Sequence, residues 1–348
     1  MLAAESKVVP APSGASAGLG AVPSWKQIVG PVEPFLEAVQ TRLMKQVGEF
    51  DPAIKPYAEY ALNGNGKHLR PALVALTANA LSRTVDAHVT VAVIVEMVHL
   101  ATLVHDDVMD ESEIRRGRPT LAANWGNEIA VLFGDCLFAQ ALKLSAGFPT
   151  PEVCRAVAMA TNTVCSGEIL QTQHRGDFNF SRSEYFRVLE MKTGELFALS
   201  CDLAAFLNNA SAAQRAAFRQ FGLAFGTAYQ VYDDCVDLFG SEAAAGKSLG
   251  TDLAKGKLTL PVLVFRERAT ASDRDRLESI IKDRGDGALR EVQQLLMRYD
   301  ALAASVESIQ GCLERARQMI RSLPETEGRS SLLGLTDHFA RQTDSLGA

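Results

Sequence analysis

The sequence predicts an all-α protein, a large helical bundle whose working site lies in a central cavity between helices. Three observations carry this expectation. Apolar residues recur at helical spacing almost continuously from Val22 onward. Strand signals are nearly absent. An acidic signature, D-D-x-x-D, occurs twice, as Asp106-Asp107-Val108-Met109-Asp110 and as Asp233-Asp234-Cys235-Val236-Asp237, each closing a long apolar stretch. Facing helices of a bundle are a known way to build a metal site from carboxylates.

Residues 1–24 are rich in Ala, Gly, Ser and Pro, with Glu5 and Lys7 their only charges. Such a composition reads as a flexible tail. It lacks the arginines of a transit peptide and the apolar core of a secretory signal. Residues 25–348 are expected to form one all-α domain. Asn63-Gly64-Asn65-Gly66-Lys67-His68-Leu69-Arg70-Pro71 leads from a loop into a helix and places Lys67 and Arg70 where backbone N–H groups favour anions. A long apolar helix is expected over Asp86–Met109. Glu128–Ala146 and Glu152–Gln173 follow, separated by Gly147-Phe148-Pro149-Thr150-Pro151, which stops one helix and starts the next. Arg182–Leu207 and Ala212–Phe239 are again long and periodic. After Gly240 a loop with three glycines, Ser241–Lys257, precedes four amphipathic stretches: Leu258–Arg268, Ser272–Arg284, Asp286–Leu323 and Arg329–Gln342. Glu128–Leu144 is apolar on most faces and should be buried on more than one side. That favours a bundle with central helices over a solenoid.

Composition narrows the function. The 348 residues are 47% hydrophobic and 22% charged with a formal charge of -6, which leaves no global footprint for nucleic acid. No uninterrupted apolar run reaches eighteen residues, so no transmembrane segment is expected. Six cysteines without a C-x-x-C pair read as reduced residues of a cytoplasmic protein. Cys235, inside the second acidic motif, reads as a small buried filler.

On a helix, positions i and i+4 share a face. Asp106 should therefore project with Asp110, and Asp233 with Asp237. Asp is a mediocre helix former, and clustered carboxylates repel one another, so the arrangement makes sense if cations sit between them. Mg²⁺ suits the task because it binds through one or two carboxylates plus substrate phosphates. Arg115-Arg116-Gly117-Arg118-Pro119 follows the first motif, and an arginine pair suits the bidentate capture of phosphate oxygens. Lys192-Thr193 lies among apolar residues, Gln230 precedes Asp233 by three, and Lys247 and Lys257 lie in the glycine-containing loop. Alone, each loop lysine reads better as an ordinary solvated charge than as a functional one, and the arginines read also as salt-bridge partners of the nearby aspartates. His99, seven residues before Asp106, falls on the same stripe; His105 reads as structural.

Together these segments resemble the trans-isoprenyl diphosphate synthase (polyprenyl synthase) family, from about Val22 to the C-terminus. The resemblance rests on Gly64 to Pro71, on the run His99 to Asp110, and on Arg115-Arg116-Gly117 and Phe133-Gly134-Asp135. It rests equally on Gly167-Glu168 with Gln171, on Lys192-Thr193, and on Tyr229 to Asp234. It implies the isoprenoid synthase helical fold, a homodimer, and condensation of isopentenyl diphosphate with an allylic prenyl diphosphate. By resemblance, about three Mg²⁺ ions are carried by Asp106, Asp110 and Asp233, supported by Asp107, Asp234 and Asp237. Arg115, Lys192, Thr193, Gln230, Lys247 and Lys257 match positions on the allylic diphosphate, with Lys192, Thr193 and Gln230 steadying the cation. Lys67, Arg70, His99 and Arg116 match positions on isopentenyl diphosphate. His68 departs from an arginine common among relatives. Ala101 and Thr102, five and four residues before Asp106, match the chain-length gate; both are small, which implies a product of four or more isoprene units rather than a farnesyl-length one. Leu132, Phe133 and Phe138 are the candidate tunnel floor. A terpene cyclase needs no second diphosphate site, a non-catalytic regulatory subunit tends to lose its acidic motifs, and a di-iron bundle needs Glu-x-x-His pairs absent here.

Overall fold

The structure is a computed structural model that describes residues 24–63, 66–240, 249–283 and 287–346. The expected tail, apart from Ser24, and Lys247 lie outside the described residues. Ser24 caps the first helix through a capping box with Gln27. The chain then runs through α1 (Trp25–Val29), α2 (Glu33–Gln46), α3 (Lys55–Leu62), α4 (Leu69–Leu81) and α5 (Asp86–Met109). A short hairpin, β1 (Ile114–Arg115) and β2 (Arg118–Pro119), leads to α6 (Leu121–Trp125), α7 (Asn127–Ala146), α8 (Glu152–Gln173) and α9 (Arg182–Leu189). After them come α10 (Glu195–Leu207), α11 (Ala212–Phe239), α12 (Thr251–Ala254), α13 (Leu260–Arg268), α14 (Ala271–Asp283), α15 (Ala288–Arg298), α16 (Ala301–Arg321) and α17 (Glu327–Gln342).

The expected bounds of α5, α8 and α11 coincide with those observed. Three expectations change. Arg182–Leu207 is not one regular helix, because a π-helical turn, Glu190–Gly194, separates α9 from α10. The stretch expected from Asp286 to Leu323 divides into α15 and α16, since Asp300 adopts a left-handed φ of 52°, which Asp tolerates better than most residues. The small hairpin has no counterpart in the expectation. Its two-residue turn, Arg116-Gly117, has φ of 53° and 73°, the type I′ pattern that fits the twist of paired strands.

At the centre α11 packs between α10 and α16, α10 reaches α4, α5 and α8, and α5 packs on α7. One apolar core runs from Ile28 to Phe339. Burying side chains such as Phe197, Phe218, Phe221 and Phe225 contributes roughly 1.5–3 kcal/mol each. The α10–α11 contact is close because Gly222 faces the Phe197 carbonyl, where an added Cβ would come within 2.5 Å of the oxygen. The acidic motifs therefore sit at the ends of two helices fixed in the core.

Averaged over a window, α5 and α7 are long and apolar enough to cross a membrane by length and composition. The window in α5 is 67% buried inside the bundle, whereas that in α7 is only 39% buried. Val131, Leu132 and Leu142 of α7 are exposed together with Met159 and Ile169 of α8.

Candidate active site

A cavity between the helices is lined by Asp106 and Asp110 from α5, Asp233 and Asp234 from α11, and by Arg115, Lys192, Gln230 and Lys257. Leu103, Val188 and Leu189 form its apolar wall. Asp110 caps the C-terminus of α5 and accepts from Lys257 Nζ at 2.9 Å and from Arg175 Nη2 at 2.9 Å. Burial pushes its carboxyl up, but Lys257, Lys255 and Lys192 outweigh that and hold it below the ordinary aspartate value. Asp106 is raised, chiefly by burial, with Lys192 pulling the other way.

Asp107, Asp234 and Asp237 are anchors in the geometry observed, whereas Asp233 faces the cavity. Asp107 accepts from Arg115 Nε at 2.7 Å and so orients the hairpin that carries Arg115 and Arg116. The pairing of Asp233 with Asp237 toward one face of the cavity is not found. Asp237 is fully buried, accepting from Thr251 Oγ1 at 2.8 Å and from the Asp252 backbone N–H at 3.1 Å. The physical reason is that α12 covers the last turn of α11. Asp234 accepts from Gln230 Nε2 at 2.8 Å and from the Tyr185 hydroxyl at 2.6 Å. Burial, reinforced by the charge of Asp252, pushes its carboxyl up to about 8.

Lys192-Thr193 lies in the π-helical turn, a device that inserts one residue into a helix and re-aims those beside it. Lys192 Nζ reaches Glu168 and Gln171 of α8, the latter at 2.8 Å, and lies 3.8 Å from Asp106. Burial disfavours the ammonium, but Asp106 and Glu168 outweigh it and hold its pKa above the ordinary lysine value. Thr193 donates to Gln230 Oε1 at 2.9 Å, so Thr193, Gln230 and Asp234 form one hydrogen-bonded row. The glycine of Gly167-Glu168 has a steric cause: an added Cβ would lie 2.8 Å from the Lys192 backbone nitrogen. Gly134 likewise leaves room for the His105 ring, whose Nε2 lies 3.0 Å from the Val131 carbonyl. His105 is structural, as expected.

A second basic cluster lies outside the cavity wall. Arg70 stacks on the Phe197 ring at 4.5 Å, and its buried Nε has no hydrogen-bond partner among the described residues. An added Cβ on Gly66 would meet Arg116 Nη1 at 3.0 Å, so that glycine admits the guanidinium. His99 stays neutral well below its ordinary pKa, first through burial and then through Arg70, Arg116, Arg115 and His68. Lys67 is exposed at the edge of this cluster. The hairpin is held over it by the Tyr60 hydroxyl, which donates to the Pro119 carbonyl at 2.6 Å, and by Arg118 stacked on the Tyr60 ring.

Ala101 is fully buried, and Thr102 donates to the His99 carbonyl at 2.7 Å; neither lines the cavity, whereas Leu103 does. Leu132 is 62% exposed and cannot be a floor inside this chain, because the period of α7 turns it outward. Phe133 is buried against the Phe50 and Tyr57 rings, and Phe138 packs on His105 at 5.7 Å. Arg175 and Tyr185 carry no motif in the sequence, and Asp252 is marked there only by its place in the loop after the second acidic motif. Arg175 lies two residues past the end of α8.

An all-helical cavity with two facing carboxylate sets, ringed by lysine and arginine, defines an enzyme of the isoprenoid synthase fold. The chain belongs to the polyprenyl synthetase family, whose sequence pattern matches residues 51–298, and it is a prenyltransferase. It is 33% identical over 304 residues to the octaprenyl diphosphate synthase of Haemophilus influenzae, covering 87% of this chain and 92% of that one. It is 33% identical to heptaprenyl diphosphate synthase component 2 of Geobacillus stearothermophilus, covering 88% and 95%. Among solved structures, a polyprenyl synthase from Caulobacter crescentus complexed with calcium and isoprenyl diphosphate superposes with a TM-score of 0.86 at 31% identity, covering 92% of this chain and 99% of that chain.

Proposed function

We propose that this chain condenses isopentenyl diphosphate with an allylic prenyl diphosphate to give an all-trans polyprenyl diphosphate of four or more isoprene units. The observation that carries the reading is the convergence of Asp106, Asp110, Asp233, Lys192 and Lys257 on one cavity with an apolar inner wall. The donor set fits magnesium. It offers only hard carboxylate oxygens, and among the described residues no three His, Cys, Asp or Glu side chains form a ready-made cage. Mg²⁺ needs none, since it takes one or two carboxylates and completes its shell with water and substrate phosphates. Asp106, Asp110 and Asp233 are the proposed ligands, for about three ions by family resemblance. Bound there, magnesium neutralises the departing diphosphate.

The chain's own groups do the rest. Arg115, Lys192 and Lys257 hold the allylic diphosphate by charge-assisted hydrogen bonds. Lys67, Arg70, His99 and Arg116 hold isopentenyl diphosphate, with neutral His99 donating one N–H. When the allylic C–O bond breaks, the oxygens of Thr193 and Gln230 present their dipoles to the cation. The double bond of isopentenyl diphosphate attacks, and the released diphosphate takes the proton. Leu103, Val188 and Leu189 keep water from the cation. The likeness to octaprenyl and heptaprenyl diphosphate synthases supports a long product.

The exposed apolar residues of α7 and α8 support a homodimer through that face. Exposed Asp135 on the same face of α7 favours a protein partner over lipid. Six unpaired cysteines support a cytoplasmic setting. The test is product analysis of the purified chain with Mg²⁺, isopentenyl diphosphate and allylic primers of increasing length. Products of four or more units are expected. Failure to consume isopentenyl diphosphate overturns the function, and arrest at three units overturns the product class.

A further inference from the structure

We propose that Arg175, which contacts Asp110 in the structure, is a further diphosphate-binding residue that turns to the substrate where a cation competes for Asp110. The inference rests on the preceding assignment of Asp110 to the metal site. Both oxygens of Asp110 are already engaged: Oδ1 accepts from Arg175 Nη2 at 2.9 Å, and Oδ2 from Lys257 Nζ at 2.9 Å, with Lys255 Nζ at 3.6 Å. A divalent cation that binds Asp110 competes with these groups for its lone pairs and repels their positive charges.

Arg175 is the one built to leave. Lys257 is fixed by its backbone N–H, which donates to the Asp252 carbonyl at 2.8 Å, and by a second ion pair to Asp252 at 3.6 Å. Arg175 uses one donor of its fork on Asp110, while its buried Nε has no hydrogen-bond partner among the described residues. A buried donor without a partner is destabilising, and a phosphate oxygen would satisfy it. Arginine is also the side chain whose geometry takes phosphate in a bidentate manner.

The backbone keeps Arg175 at the mouth while its head is free to move. The Gly176 N–H donates to the Gly256 carbonyl at 2.8 Å. A Cβ on Gly256 would lie 3.2 Å from the Gly176 nitrogen, so this close approach requires glycine there. The contact ties the residue after Arg175 to the residue before Lys257, and the two cations flank Asp110 from different segments. His174, the neighbour of Arg175, lines the cavity itself.

The test titrates inorganic pyrophosphate into the whole chain by calorimetry at saturating Mg²⁺, for the wild type, Arg175→Ala, Arg175→Lys and Asp110→Asn. Circular dichroism confirms that each variant is folded. Arg175→Ala should weaken pyrophosphate binding roughly 10- to 150-fold, and Arg175→Lys should restore only part of it because the fork is lost. The Michaelis constant for the allylic substrate should rise while that for isopentenyl diphosphate stays put. With Mg²⁺ alone, thermal-shift titration should half-saturate at lower concentration in Arg175→Ala, because the competitor for Asp110 is gone. Wild-type pyrophosphate affinity in Arg175→Ala, or an equal rise in both Michaelis constants, overturns the proposal. Unchanged Mg²⁺-dependent binding in Asp110→Asn instead overturns the metal-site assignment beneath it.

Discussion

Replacing Gly167 by alanine tests whether the π-helical turn must sit where it does for Lys192 to work. The new Cβ would lie 2.8 Å from both the Lys192 backbone nitrogen and the Met191 Cβ, and 3.2 Å from the Lys192 Cα. These are backbone or backbone-proximal atoms, so no flexible side-chain end can swing away. Ordinary contact begins near 3.4 Å, and α8 must therefore part from the turn by about 0.6 Å. Overpacking of this kind costs about 1–3 kcal/mol, offset by up to about 1 kcal/mol from the better helix propensity of alanine. The net loss of stability should be about 0–3 kcal/mol, leaving the protein folded. Turnover should suffer more, because Lys192 Nζ depends on Gln171 and Glu168 of the same helix it is pushed from. Misplacing a positioning group by about 1 Å can cost about 100-fold, so a fall of roughly 10- to 100-fold in single-turnover rate is expected. Gly311→Ala is the control, since only the far end of Arg315 lies within 4 Å, at 3.9 Å; it should stabilise slightly and leave the rate alone. The reasoning fails if Gly167→Ala, with urea midpoint unchanged, keeps a rate within about two-fold of the parent.

Asp106→Ala should lower turnover by orders of magnitude with the helical circular dichroism intact, and near-normal turnover would remove Asp106 from the metal site. Ala101→Phe, at a fully buried position of α5, should overpack the core and push the α5 wall that carries Leu103 into the cavity, shortening the product to about fifteen carbons; unchanged product length in the folded variant, read by chromatography of the dephosphorylated products, would refute the gate. His99 is held neutral, its pKa well below the ordinary value through burial and four neighbouring basic groups. A depressed histidine contributes stability that is full above its unfolded pKa and lost as pH falls through the folded one. The kcat/KM profile for isopentenyl diphosphate should thus carry no His99 step near the ordinary histidine pKa of about 6.5, and His99→Gln, which keeps a neutral donor, should stay within about ten-fold. A step near pH 6.5 that vanishes in His99→Gln would contradict this.

The frame of the site was legible because its signals are costly ones. Aspartates at the ends of long apolar helices need a reason, and the bounds of α5, α8 and α11 follow from periodicity and caps. The rest depends on contacts between distant segments. The π-helical turn at Lys192 has no compositional mark of its own; its trace is Gly167, twenty-five residues earlier, which gives the bulge its room. Strands of two residues are too short to alternate, so the hairpin left only Arg116-Gly117 as a turn signal. The two acidic motifs read alike yet differ in place, because α12 covers Asp237 while both oxygens of Asp110 meet side chains at the mouth. Sequence periodicity fixes which face of a helix an aspartate occupies. What then lies over that face is decided by segments such as Thr251–Ala254, and this is why Asp233 reaches the cavity and Asp237, one helical turn on, holds its wall.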